Sequence, residues 1–255
     1  MDAADMTLWG RTSSAWSALL TQTDETNPLW PIYAPMLGAR ADDRPLVVGQ
    51  IGQSLDGRVA TDGGRRQIIN GAAAMVHLHR LRALADAVVV GVGTVVADDP
   101  KLTVRDAVGA NPARVIIDPA GRLPATAGLL VADGVRRMVV TRTETKLPAG
   151  VEAIHIPGHG FEIPPDAIVA ALAGLGFRRL LIEGGPRTLS RFLATGCLGR
   201  LHIMMSPMII GSGQSAVQLP PVTSIDAALR PRTTTYPMPG GDVLFDCAFD
   251  HGATR

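Results

Sequence analysis

From Pro45 onward, short apolar and β-branched runs alternate with stretches of helical period. The runs at 46–51, 87–90, 114–117, 138–140, 153–156, 180–182, 201–207 and 243–249 predict strands. The stretches at 72–85, 94–97, 165–175 and 186–195 predict helices. In the third of these, Asp166 sits in the first turn, where a carboxylate favours the dipole, and Gly174 and Gly176 supply the stop. Strands that are apolar almost throughout must be buried on both faces. The pattern therefore predicts an α/β fold with a mixed, mostly parallel central sheet flanked by helices.

Residues 1–44 break this rhythm. They hold all three tryptophans, Trp9, Trp16 and Trp30. A short helix is expected near 13–20, then an extended, proline-containing arm across 27–37. Aromatic anchors on such an arm suit a strap around the domain, or else a substrate lid or oligomer contact. The expected organisation is an arm over 1–44 and one domain over 45–255, with no internal repeat.

Composition removes several function classes. The formal net charge of +1 over 255 residues offers no bulk attraction to nucleic acid, and the 4% aromatic content argues against a base-stacking platform. Cys197 and Cys247 form no CxxC pair, so neither a zinc ribbon nor a disulfide scaffold is indicated. The start, Met1-Asp2-Ala3-Ala4-Asp5, lacks the basic and apolar regions of a secretory signal, and no apolar run reaches membrane-spanning length. A cytoplasmic protein without membrane or nucleic-acid partners is the expectation.

Two strand ends run through glycine into a helix: Val90-Gly91-Val92-Gly93-Thr94 and Ile182-Glu183-Gly184-Gly185-Pro186-Arg187-Thr188. Glycine lets a ligand approach the backbone closely, and a helix N-terminus presents free N–H groups and a favourable dipole to phosphate. Either one alone reads as a tight turn. Two in one chain point to a dinucleotide, with Thr94 and Thr188 adding hydroxyl donors. The Rossmann fingerprint is absent, because its third glycine position is Val96, and no Gly-Lys-Ser or Gly-Lys-Thr phosphate loop occurs.

Other motifs come in a fixed order. Gln53-Ser54-Leu55-Asp56-Gly57-Arg58-Val59-Ala60 comes after the first strand, and His79-Arg80-Leu81-Arg82-Ala83 and Asp86-Ala87 precede the first turn. Then come Ala97-Asp98-Asp99-Pro100-Lys101-Leu102-Thr103-Val104-Arg105, the Glu183 turn, and Ser206-Pro207-Met208-Ile209-Ile210-Gly211-Ser212-Gly213. In this order the set resembles the reductase domain of the bacterial bifunctional riboflavin-biosynthesis protein, a member of the dihydrofolate reductase-like fold, over about residues 46–249.

The resemblance implies an NADPH-dependent reductase of a ribosylaminopyrimidine phosphate, of the 5-amino-6-(5-phosphoribosylamino)uracil type, with hydride delivered to sugar C1. It implies cofactor contacts at Gly93, Thr94, Asp98, Gly184, Gly185, Pro186, Arg187 and Thr188. Substrate contacts are implied at Arg66, Arg82, Leu102, Arg105 and Glu183, with Glu183 also the catalytic candidate. A homodimer and a small phosphorylated substrate are the implied partners. No metal is implied, and the His-x-Glu and Pro-Cys-x-x-Cys motif of the family's deaminase domain has no counterpart in the sequence.

Each residue also has a plainer reading. Glu183 could cap the following helix, Arg82 could be a surface charge paired with Asp86 at i+4, and Asp98 could be a turn residue ahead of Asp99-Pro100. Arg82 and Arg105 suit a phosphate because guanidinium offers bidentate, charge-assisted hydrogen bonds. Arg122 or Arg142 would serve the 2′-phosphate of NADPH. His77 and His79, two apart on a helix, face different ways and make no metal pair, and His155 and His159 read as loop residues.

Two departures bear on the substrate. Gln50 stands where the family usually has lysine, and 62–69 reads Asp-Gly-Gly-Arg-Arg-Gln-Ile-Ile, with Arg66 for a small hydroxyl residue and Ile68 for an aromatic. They leave room for a pterin or dihydrofolate-like substrate, or for a protein that binds the dinucleotide without catalysis.

Overall fold

The computed structural model describes residues 8–39, 44–63, 67–144, 146–158, 160 and 162–249. The chain runs through α1 (Ser14–Thr21), α2 (Trp30–Leu37), β1 (Leu46–Ser54), β2 (Arg58–Thr61), α3 (Ala72–Leu84), β3 (Ala87–Gly91), α4 (Val92–Asp98) and β4 (Ala113–Ile117). It continues through β5 (Arg137–Thr141), β6 (Val151–His155), α5 (Pro165–Gly174), β7 (Arg179–Glu183), α6 (Pro186–Ala194), β8 (Arg200–Ser206), β9 (Gly213–Ser215), β10 (Arg232–Pro237) and β11 (Val243–Ala248).

Nine strands form one sheet in the order β10-β11-β8-β1-β7-β3-β4-β5-β6. From β8 to β6 every pairing is parallel, and β11 is antiparallel to both β8 and β10. The central parallel strands β3, β4 and β7 are apolar because both faces are covered. Val88 and Val90 face a core shared with α3 and the N-terminal segment, while Ala87 and Val89 face one shared with α5 and α6. All eight expected strands and all five expected helices form. This is the α/β arrangement read from the sequence, and the stop of α5 has its mechanism. Gly176 at φ +91° lets Phe177 N–H return to the Leu172 carbonyl at 3.2 Å.

The expected extended arm over 27–37 is instead interrupted by α2. Pro31 lies in the first turn, where no intrahelical N–H bond is required. Pro35 is tolerated inside because the turn buries Ile32, Tyr33 and Met36, which join Trp9 and Trp16 in the core shared with α3. Strand β8 lies inside the sheet with Leu201 and Met204 buried, so it serves the core.

Helix α3 brings polar side chains into the interior. It is sandwiched between the sheet and the N-terminal segment, so His77, His79, Arg80 and Arg82 are all buried. Buried polar groups need partners, and those partners define the site. The carboxyl ends of the parallel strands β1, β3 and β7 share one edge of the sheet. Among the described residues, no helix is long and apolar enough to cross a membrane.

Candidate active site

Because β3 and β7 are adjacent, the two glycine turns meet. The Gly185 N–H donates to Thr94 Oγ1 at 2.8 Å. A β-carbon on Gly185 would lie 2.9 Å from that oxygen, and one on Gly184, whose φ is +111°, would lie 3.1 Å from it. Across the turns, a β-carbon on Gly91 would meet Thr188 Oγ1 at 2.5 Å. Glycine at Gly91 thus lets the Thr188 hydroxyl approach closely, and at Gly184 it suits the backbone conformation. Gly93 is exposed, with open space where a side chain would project. No side chain caps α4 or α6 at its N-terminus.

Glu183 ends β7 and is buried. Arg82 Nε donates to its Oε1 and Nη2 to its Oε2, each at 2.7 Å, while Arg82 Nη1 donates to the Thr103 carbonyl at 2.9 Å. Neither plainer reading of these residues holds. Arg82 is not a surface charge on Asp86, which instead binds Arg179, and Glu183 is held by a guanidinium instead of serving as a helix cap. On β1, Gln50 lies in register with Glu183 on one side and His202 on the other. The position where the family usually has lysine therefore adjoins the buried carboxylate.

The loop after α4 links the cofactor and substrate candidates. Asp98 closes the helix half-buried, and Asp99 comes next in the left-handed region at φ 41°. Leu102 is also left-handed, at φ 54°, with its side chain buried in the core. Two such non-glycine residues within four positions store strain that the surrounding packing must offset, a feature that gathers at ligand-binding segments. Arg105 lies just beyond, its side chain exposed and its backbone N–H donating to His79 Nδ1 at 2.9 Å.

Asp56 of the Ser-Leu-Asp-Gly motif organises the neighbouring edge. It accepts from Ser54 Oγ at 2.6 Å, from Ile210 N–H at 3.1 Å and from Gly211 N–H at 2.7 Å. The Ser54 hydroxyl and then these backbone donors bring its carboxyl down to about 2. That clamp joins the β1–β2 turn to the loop after β8, where β2 pairs with β9.

The other candidates are spread further. Pro186 is buried at the start of α6, Thr188 is half-buried, and Arg187 is exposed and pairs with Glu162 at 2.8 Å. Arg66 lies outside the described residues. Asp106 and Arg11, which gather with His79 around Arg105, carry no mark of a site in the sequence. Only the burial of α3 brings them together, and no sequence spacing announces it. Among the described residues, no group of three or more His, Cys, Asp or Glu could hold a metal.

A mostly parallel α/β sheet with two glycine turns apposed at its carboxyl edge defines the architecture. Residues 45–236 match the family described as the RibD C-terminal domain, and the chain belongs to that family. It is 33% identical to the riboflavin biosynthesis protein RibD of Aquifex aeolicus over 208 residues, covering 79% of this chain and 57% of that protein. It is 31% identical to the 2,5-diamino-6-ribosylamino-4(3H)-pyrimidinone 5′-phosphate reductase of Archaeoglobus fulgidus over 185 residues, covering 68% of this chain and 84% of that protein. Among solved structures, Acinetobacter baumannii RibD superposes with a TM-score of 0.72 at 26% identity, covering 87% of this chain and 63% of that one. The chain thus spans less than two thirds of these RibD proteins' length.

Proposed function

We propose that this chain is an NADPH-dependent reductase of a ribosylaminopyrimidine 5′-phosphate, converting the ribosyl group to ribityl, and that it works in the cytoplasm as a homodimer. The contact between the two glycine turns carries this reading. Gly93 leaves open space, Gly184 takes a conformation that disfavours side chains, and both helices start uncapped, which suits a dinucleotide's phosphates. NADPH, when bound, supplies the hydride.

The remaining work falls to the chain. Thr94 and Gly185 fix the turns against each other, and Asp98, Pro186, Arg187 and Thr188 line the approach. A carboxylate has about four acceptor sites, of which Arg82 occupies two, so Glu183 retains two to orient the substrate's sugar or ring. Arg82 is committed to Glu183 and Thr103, so it positions the carboxylate, and the substrate's phosphate falls to the exposed Arg105. Leu102 fixes the loop between them. Held at this spacing, the reactants gain from orientation and exclusion of water.

For the 2′-phosphate we assign the cleft of about 490 Å³ at the carboxyl ends of β5 and β6, lined by Thr141, Thr143, Glu144, Lys146, Ala153 and His155. It opens on the same edge of the sheet as the turns. The homodimer is supported by the exposed edge strand β10 and by Leu219, Val222, Ile225 and Leu229, apolar residues at the surface just before it.

Calorimetric binding of NADPH, with NADPH oxidised only when the ribosylaminopyrimidine phosphate is added, is the expected result. No NADPH binding at all overturns the proposal. Gln50 beside Glu183 and the 74% exposed Ile68 favour a second reading, a pterin-like ring as substrate. Faster turnover of a pterin than of the pyrimidine phosphate would select it. Binding without turnover of either would select a non-catalytic protein.

A further inference from the structure

Arg11 lies ahead of the residues that match the family, yet it reaches the surroundings of Arg105. Arg11 Nη2 is 2.5 Å from Asp106 Oδ1, and Arg105 Nε is 3.7 Å from Asp106 Oδ2. The two guanidinium side chains are 71% and 55% exposed, whereas that of Asp106 is 11% exposed. From the interior, His79 Nε2 lies 3.3 Å from Asp106 Oδ2, and His79 Nδ1 accepts the backbone N–H groups of Arg105 and Asp106. A carboxylate held from below thus gathers two exposed arginines above it.

The charge balance matters. Burial, and then the nearby Arg82 and Arg105, bring His79 down to about 4, so it is neutral near pH 7. Two guanidinium groups and one carboxylate leave a net positive charge at the surface. A phosphate monoester, doubly negative and rich in acceptors, matches a pair of guanidinium forks better than one carboxylate can. The position also suits the substrate's two ends. Arg82 bonds both Glu183 and the Thr103 carbonyl, two residues before Arg105, so the arginine pair lies along the segment leading away from Glu183.

We propose that Arg11 is a second cation of the substrate's phosphate subsite, acting beside Arg105, so that the N-terminal segment takes part in substrate recognition. This inference rests on reading Arg105 as the phosphate contact. The competing role for Arg11 is an ion pair that merely fastens the segment.

The test compares Arg11→Ala, Arg11→Lys and Arg105→Ala in steady-state kinetics on the phosphorylated substrate and on its dephosphorylated form, with ribose 5-phosphate binding by calorimetry as a readout without turnover. Arg11→Ala is expected to raise KM for the phosphorylated substrate about tenfold, with kcat changed less than about twofold. It should weaken ribose 5-phosphate to the same degree and leave NADPH affinity unchanged. Arg11→Lys should recover part of the loss, and on the dephosphorylated substrate the difference should vanish. If Arg11→Ala behaves as wild type, or loses equally on both substrates, the inference is overturned. Should Arg105→Ala raise KM while Arg11→Ala does not, only the role of Arg11 fails. If neither variant affects KM or ribose 5-phosphate binding, the underlying phosphate reading fails with it.

Discussion

Glu183 and Arg82 stand 101 residues apart in sequence and share two hydrogen bonds, with neither side chain more than 7% exposed. Withdrawing two charges from water costs several kcal/mol, and the pair offsets this only while both members are present. Removing one leaves the other stranded. Glu183→Leu should therefore destabilise the protein by about 3 kcal/mol, and the double variant Arg82→Met/Glu183→Leu should return to within about 1 kcal/mol of wild type. Under the proposed function both should fail to turn over substrate, because the carboxylate assigned to orient it is gone. Urea unfolding midpoints alongside turnover separate the two roles. An active double variant would show that the pair is structural only, and a fully stable single variant would show that its burial costs little.

At the scale of the elements, the proposed cofactor site depends on two strand-to-helix turns joined by the hydrogen bond from Gly185 N–H to Thr94 Oγ1. Thr94→Val keeps the shape but leaves the Gly185 N–H without its acceptor, a loss of about 1 kcal/mol in stability. Gly184→Ala forces a side chain onto φ +111° and against Thr94 Oγ1. Both variants should weaken NADPH binding by about tenfold or more, whereas Thr94→Ser should stay near wild type, since it keeps the oxygen. Calorimetric titration decides, and unchanged affinity in Gly184→Ala would remove the second turn from the cofactor site.

These turns were legible in the sequence because glycine at the end of an apolar strand is a local signal. The parallel strands were legible for the same reason, with Val88, Val89 and Val90 fully buried in an unbroken run. Strands β2, β9 and β10 were not. Along β10, Arg232 and three threonines face solvent, so no alternation marks them, and β9 is three residues long. Helix α2 was hidden by its two prolines. Nor could spacing reveal that Arg82 faces Glu183 or that Arg11 faces Asp106, since both pairings exist only because α3 is buried on both sides.

Across the whole molecule, that burial ties the N-terminal segment to the sheet through polar groups. Arg80 Nη2 donates to the Leu8 and Gly10 carbonyls at 2.7 and 3.1 Å, and its guanidinium lies over Trp9 and Trp16. Tyr33 Oη meets His77 Nδ1 at 2.8 Å, His77 Nε2 meets His202 Nδ1 at 3.1 Å, and His202 Nε2 lies 3.2 Å from Asp246 Oδ1. With Tyr33 donating to His77 Nδ1, His77 Nε2–H donates to His202 Nδ1. Burial, reinforced by His202 and Arg80 and opposed by Asp246, holds His77 well below the usual histidine range, and His79 lies at about 4. In the unfolded chain both take up a proton near pH ~6.5. Between that pH and about 4 the unfolded state binds more protons than the folded one, so stability must fall as the pH falls. Each histidine contributes up to about 1.4 kcal/mol per pH unit within its own window. Carboxylates in the unfolded chain titrate mostly below this range, which leaves the interval from pH ~7 to ~5 to the histidines. Denaturant midpoints measured across that interval should decline steadily toward acid. A flat profile, or one that rises, would mean that His77 and His79 already carry their protons in the folded protein and that the line from Tyr33 to Asp246 is differently charged.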